Sequence, residues 1–291
     1  MTRPPSDKNL TVAVLGPLGT YTHEAAYQQF GPSVEYLEKT TIKDVFDALS
    51  SNADLSVVPQ ENSIFGSVIE TYDVLRGADP GFVRGEVMLR IQHCLLTRQG
   101  VKLHDIQTVM SHEQALGQCQ RFLKSHLPLA TLVKTSSTAA AAKTVVDSPA
   151  NCAAIASKIC VTLFDGLTVQ YEGIQNEASN FTRFFIVVKD RKASFPSLLV
   201  TELRHALIQV STQTLPGTGA DISQLISSLN LRVVRLDRRP AVTNVPFHDI
   251  YLVEVQDAER YKSVLEWTSE VDGAISRIGV LGGNAKLIGL W

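Results

Sequence analysis

Over the first two thirds of the chain, short apolar runs closed by turn residues alternate with stretches whose apolar residues recur every three or four positions. LTVAVLG (10–16) is an apolar run stopped by Gly-Pro, which predicts a buried strand running into a turn. TYTHEAAYQQFG (20–31) has helical composition and a stop at Gly31. Ile42, Val45, Phe46 and Leu49 fall at i, i+3, i+4 and i+7 behind Thr40 or Thr41 as cap, which predicts a helix. ADLSVVPQENS supplies a strand ending at Pro59. The rhythm continues through QTVMSH, a helix carrying Ala115, Cys119 and Phe122, ATLVKT, a helix from STAAAAKTVV, and NCAAIAS. Phe184 to Val188 read as a strand buried on both faces. This alternation predicts an α/β fold with a parallel sheet, helices on both faces and ligands at the carboxyl ends of the strands.

DRKASFPS (190–197) is charged, small and Pro-containing, and marks a domain boundary. Beyond it the order changes. ELRHALIQVSTQ reads as a strand, DISQLISSLN as a helix, LRVVRL and DIYLVEVQ as strands, AERYKSVLEWTSEV as a helix and ISRIGVLG as a final strand. That βαββαβ order predicts a ferredoxin-like module over 198–291, after a first domain over 10–190.

Composition narrows the partners. The 291 residues are 44% hydrophobic and 19% charged, which fits a globular chain with a sizeable core. A formal net charge of −2 with no Lys/Arg run gives no electrostatic footprint for nucleic acid. The N-terminal MTRPPSDKNL lacks a signal-peptide core, and no apolar run reaches membrane-spanning length, so a cytoplasmic protein is expected. Cys94, Cys119, Cys152 and Cys160 lie apart without metal-ligand spacing and read as buried free thiols; no metal is expected.

Polar residues gather at the strand ends. GPLGTYTHEA leads two glycines into a helix start with Thr20 ready to donate, but is neither GxGxxG nor a P-loop. VPQENSIFGSV offers Glu61, Asn62 and Ser63. SHEQALGQC sets Ser111, His112 and Gln114 at a turn, and TSSTAAAA repeats the arrangement with Ser136, Ser137 and Thr138. Singly, each is a helix cap or a turn. Together with NFTRFF, where Asn180 and Thr182 flank a strand mouth and Arg183 brings a guanidinium suited to carboxylates, they describe a cleft for a small, multiply charged carboxylate. No cofactor signature and no Ser/His/Asp triad is present in the sequence.

The ordered set GPLGTYTHEA, VVPQENSIFGSV, SHEQALGQC, STAAAA and NFTRFFIV resembles the prephenate dehydratase family over residues 11–188, and the C-terminal part resembles that family's ACT regulatory domain. The resemblance implies two α/β lobes of the type II periplasmic-binding-protein kind, the second over about 95–178, plus a ferredoxin-like ACT domain. It implies conversion of prephenate to phenylpyruvate, water and CO2 on the way to phenylalanine, without a cofactor. It places the essential threonine at Thr182, followed by Arg183 and Phe184, and sets Thr20, Asn62, Ser63, Ser111, His112, Gln114, Ser137, Thr138 and Asn180 along the cleft. From the chemistry of the substrate, Thr182 is expected to hydrogen-bond the leaving hydroxyl, with Glu61 or His112 as proton source. Arg183 is expected to hold the pyruvyl carboxylate, and Phe184 to supply apolar wall.

In the regulatory part, L-phenylalanine is the expected effector, through Gly219, Ala220, Asn230, Leu231, Arg239 and Pro240. Asp221 stands where the family's GAL turn has an apolar residue, and Asp237-Arg238-Arg239-Pro240 replaces its ESRP motif. A homodimer or dimer of dimers is expected from side-by-side ACT pairing, with no nucleic-acid or membrane partner. A monofunctional enzyme is expected. Arogenate dehydratase shares these motifs, and a non-catalytic carboxylate-binding protein with an amino-acid-sensing module is the reading from another class.

Overall fold

The computed structural model describes residues 10–193, 204–212, 221–242, 248–257 and 263–291. In chain order the elements begin β1 (Thr11–Leu15), α1 (Tyr21–Phe30), β2 (Glu35–Lys39), α2 (Ile42–Asp47), β3 (Leu55–Asn62), β4 (Gly66–Ser67), α3 (Ile69–Leu75) and β5 (Phe82–Arg90). They continue with β6 (Cys94–Arg98), β7 (Thr108–Ser111), α4 (Glu113–Gln118), α5 (Gln120–His126), β8 (Thr131–Lys134), α6 (Thr138–Asp147), β9 (Cys152–Ala156), α7 (Cys160–Leu163), β10 (Leu167–Tyr171) and β11 (Phe181–Val188). Last come β12 (His205–Ser211), α8 (Ile222–Ser228), β13 (Arg232–Pro240), β14 (Asp249–Gln256), α9 (Val264–Val280) and β15 (Asn284–Leu290). Two compact units divide the chain: Met1–Val45, Val57–Ser67 and Val87–Phe184 form one, and Phe46–Ser56, Val68–Glu86 and Phe185–Trp291 the other.

In the first unit, β1 pairs in parallel with β2 and has β3 as its other neighbour. Thr41 caps α2 reciprocally with Asp44, each backbone N–H donating to the other side chain at 3.1 Å. The strand expected to stop at Pro59 runs on to Asn62. Proline removes one donor but not the extended path, and Glu61 and Asn62 are held by pairing with Ser67 and Gly66 across a tight turn. Gly66 makes that turn at φ +79°, a conformation other residues rarely adopt.

The second sheet of this unit runs β10-β6-β9-β7-β8. β7 is parallel to β8 and β9, whereas β6 is antiparallel to both β9 and β10, so the expected all-parallel sheet is mixed. β6 enters this sheet from β5 of the other sheet through residues 91–93, so no helical crossover from a neighbouring strand of its own sheet sets its direction. Strand alternation gives this sheet two buried faces. Leu95, Val109, Ala153 and Ile155 pack with Leu116, Cys119 and Leu123 of the α4–α5 segment. Cys94, Leu96, Ala154 and Ala156 pack with Ala141, Ala142 and Val145 of α6, whose small side chains let it lie close to the sheet.

In the second unit β12, α8, β13, β14, α9 and β15 follow the expected βαββαβ order, in the sheet order β13-β14-β12-β15 that a ferredoxin-like fold requires. Residues 46–56 and 68–86 also belong to this unit. ISRIGVLG, expected as the last strand, is instead the end of α9. Trp267, Val271, Ala274 and Ile278 are all buried at helical spacing, and a Ser263/Glu266 capping box starts the helix. The final strand is β15. Asp221 caps α8, accepting from Ser223 N at 2.9 Å, which accounts for an acid at that position.

Gly279 lies in the last turn of α9 with open space where a Cβ would stand. Gly279→Ala is therefore expected to stabilise the protein by about 0.5 kcal/mol, seen as a raised denaturation midpoint. A lowered midpoint would contradict the helix through this residue.

Candidate active site

The site is organised where the end of β3 meets the start of β11. Ser63 N–H donates to Phe181 O at 2.8 Å, and Phe181 N–H returns to Ser63 Oγ at 2.9 Å. This locks the Asn62 side chain against the mouth of β11. Asn62 Nδ2 donates to Asn180 Oδ1 at 2.7 Å, Thr182 Oγ1 at 3.0 Å and Phe181 O at 3.2 Å. Its Oδ1 accepts from the backbone N–H of Ile64 and Phe65 at 3.0 and 3.1 Å. Asn180 and Thr182 are buried, at 2% and 8% exposure.

Successive strand residues point to opposite faces, which sorts this cluster. Asn62 meets Thr182, and Glu61 meets Arg183 with 3.6 Å between Oε2 and Nη1. Arg183 therefore does not share a face with Thr182. Phe184 shares the Thr182 face and is 1% exposed.

A pocket of about 360 Å³ adjoins the cluster, lined by Ile64, Phe65, Gln114, Gln118, Gln175 and Asn180 among others. Gln118, which the sequence reading passed over, follows Gln114 by four residues, so both fall on one face of α4. Its Oε1 lies 2.6 Å from His93 Nε2 and accepts from Asn180 Nδ2 at 3.5 Å. His93 Nδ1 lies 2.5 Å from Tyr21 Oη. Burial holds the His93 imidazole below its ordinary pKa, opposed by the Gln118 hydrogen bond.

The other expected donors have local partners. Thr20 caps α1 and donates to Leu15 O at 2.8 Å. Ser111 is fully buried and donates to Ile155 O at 2.6 Å, so its one proton is committed inside the sheet. His112 caps α4, its Nδ1 accepting from Gln114 N at 3.3 Å. Ser137 caps α6 by accepting from Ala140 N at 3.0 Å, with Thr138 buried behind it. Next to Thr20, Gly19 adopts φ +99°, and a Cβ there would lie 3.0 Å from Cys160 Sγ. The four cysteines are buried and free, and burial pushes the Cys94 thiol up to about 11 and those of Cys119 and Cys160 to about 12.

Of the expected effector residues, Gly219 and Ala220 lie outside the described residues. Asn230 takes a left-handed φ of 49° between α8 and β13, with Leu231 next to it. Arg239 donates to Asp73 Oδ1 from Nε at 2.8 Å and Nη2 at 2.6 Å, and Pro240 O accepts from Arg76. Among the described residues no helix is long and apolar enough to cross a membrane.

Two α/β sheets with a polar cluster at their strand ends define a lobed fold of the type II periplasmic-binding kind, built to hold a small molecule. The chain belongs to the prephenate dehydratase family, whose model matches residues 12–192. A bifunctional chorismate mutase/prephenate dehydratase of Neisseria gonorrhoeae is 31% identical, covering 97% of this chain and 74% of that protein. The prephenate dehydratase of Bacillus subtilis is 29% identical, covering 97% of this chain and 98% of its own. The crystal structure of a prephenate dehydratase from Arthrobacter aurescens in complex with L-Phe superposes with a TM-score of 0.77 at 25% identity, covering 97% of this chain and 89% of that one.

Proposed function

We propose that this chain catalyses the decarboxylating dehydration of prephenate to phenylpyruvate. The C–C bond to the ring carboxylate breaks, its electron pair moves through the ring, and the hydroxyl on the opposite carbon departs. One proton turns that hydroxide into water, and CO2 leaves uncharged. Formation of the aromatic ring drives the reaction, so the protein's task is to orient the substrate, assist the hydroxyl and keep the departing carboxylate poorly solvated.

The observation that carries this reading is the Thr182 hydroxyl. It accepts from Asn62 Nδ2 at 3.0 Å, which fixes one lone pair and leaves its own O–H to donate to the leaving oxygen. Phe184 gives that face an apolar wall, while Gln114, Gln118 and Asn180 offer uncharged carboxamides to the substrate's carboxylates. Arg183 lies on the opposite face, its Nη1 3.6 Å from Glu61 Oε2.

The second unit is the regulatory part in this reading, with L-phenylalanine as effector. Its ferredoxin-like strand order and the left-handed Asn230 turn support that role, as does the L-Phe bound to the Arthrobacter aurescens relative. Side-by-side pairing of two copies goes with it, supported by Val233, Val234 and Leu236, which are exposed on edge strand β13.

Incubation of the purified protein with prephenate and with arogenate, following phenylpyruvate and phenylalanine, is expected to show phenylpyruvate from prephenate. Phenylalanine from arogenate alone would reassign the substrate, and neither product would leave a binding protein. Thr182→Ala is expected to lower kcat by about 10²-fold or more with little change in KM, while Thr182→Ser retains most activity. Near-wild-type turnover by Thr182→Ala would remove the threonine from the chemistry. L-phenylalanine is expected to lower turnover and raise the thermal midpoint, stabilising by about 2.7 kcal/mol at 100 times its Kd. A titration that moves neither quantity would remove it as effector.

A further inference from the structure

The buried imidazole of His93 has no part in the chemistry above, yet both its ring nitrogens are engaged. Gln118 Oε1, 2.6 Å from Nε2, can only accept, so Nε2 carries the proton. Nδ1 is then a bare acceptor, and the single Tyr21 Oη–H donates to it at 2.5 Å in preference to the longer contact with Gln92 O at 3.3 Å. The backbone is held as firmly: His93 N–H donates to Gln175 Oε1 at 3.0 Å, and Ile174 N–H donates to His93 O at 3.0 Å. His93 is 3% exposed, so water does not replace these partners.

A primary carboxamide is nearly symmetric in shape, so only hydrogen bonding decides which end is oxygen. At Gln118 the oxygen end is set from two sides: Asn62 Oδ1 accepts from the backbone N–H of Ile64 and Phe65, which turns its NH2 to Asn180 Oδ1 and the Asn180 NH2 to Gln118 Oε1, and His93 Nε2–H donates to that same oxygen. With Oε1 turned to His93 and Asn180, the amide nitrogen is the end left to the pocket that Gln118 lines. We infer that His93 is a positioning residue which, through its Nε2–H and with Tyr21 fixing the tautomer, holds the Gln118 carboxamide with its NH2 toward a substrate carboxylate. The inference rests on the pocket being the prephenate site. Without His93 the amide can rotate and present its oxygen to an anion, a repulsive contact in place of a donor.

The test is a double-mutant cycle on prephenate turnover. His93→Phe is expected to raise KM about tenfold with a much smaller change in kcat, His93→Gln to recover most of the loss because it keeps a donor at the same reach, and Tyr21→Phe to fall between. In the Gln118→Ala background, His93→Phe is expected to add little. Fully additive losses, or a His93→Phe variant with wild-type KM, would overturn the inference. A readout independent of turnover accompanies the cycle: the 15N spectrum of the His93 ring in the wild-type protein. A protonated Nε2 and a bare Nδ1 are expected, and an Nδ1-protonated ring would overturn the assignment even if prephenate proved not to be the substrate.

Discussion

The carboxamide of Asn62 is the constraint on which the site depends. Its NH2 serves acceptors on Asn180, Phe181 and Thr182, and its oxygen gathers the N–H groups of Ile64 and Phe65. The direction of the Thr182 hydroxyl and the course of the turn carrying Ile64 and Phe65 are therefore set by one group, and neither can move alone. An aspartate would keep the turn and lose every donor; a serine would lack the reach and the second function. Only a carboxamide of this length can do both, because the pairing of Ser63 with Phe181 has already brought the two chain segments into register.

Much of this frame is legible in the sequence, because burial follows periodicity. The alternation of strand and helix, the βαββαβ tail and the polar strand ends all follow from apolar spacing. ISRIGV misleads because it satisfies two periods at once, and the upstream positions Trp267, Val271 and Ala274 decide in favour of helix. Opposite facing of Thr182 and Arg183 is implicit in any strand, as is a shared face for Gln114 and Gln118 in any helix. What spacing cannot supply is the apportioning of protons between distant partners. Ser111 and Thr182 are both hydroxyls at strand ends, yet one donates into its own sheet and the other is held from outside by a residue 120 positions away. His93 reads locally as part of an apolar flank, IQHCLL, and its partners lie 72 and 25 residues off.

The charge balance of the cluster bears on the proposed reaction. A carboxylate that leaves as CO2 loses its charge on the way to the transition state, so a cation held against it would stabilise the ground state more than the transition state and raise the barrier. Gln114, Gln118 and Asn180, which line the pocket, and Asn62 beside Thr182 are neutral donors whose grip weakens less steeply as that charge disperses; the lining also carries Glu177, an anion set 4.0 Å from Arg121. Arg183, the cation nearest in sequence, is turned to the other face and set against Glu61. Strand alternation thus performs an electrostatic sorting: the dipeptide that sets Thr182 against Asn62 turns the adjacent Arg183 guanidinium to the other face, and the Glu61–Asn62 dipeptide on the neighbouring strand mirrors it, so that under the proposed reaction a carboxylate departing on the threonine's side would leave without a cation held against it.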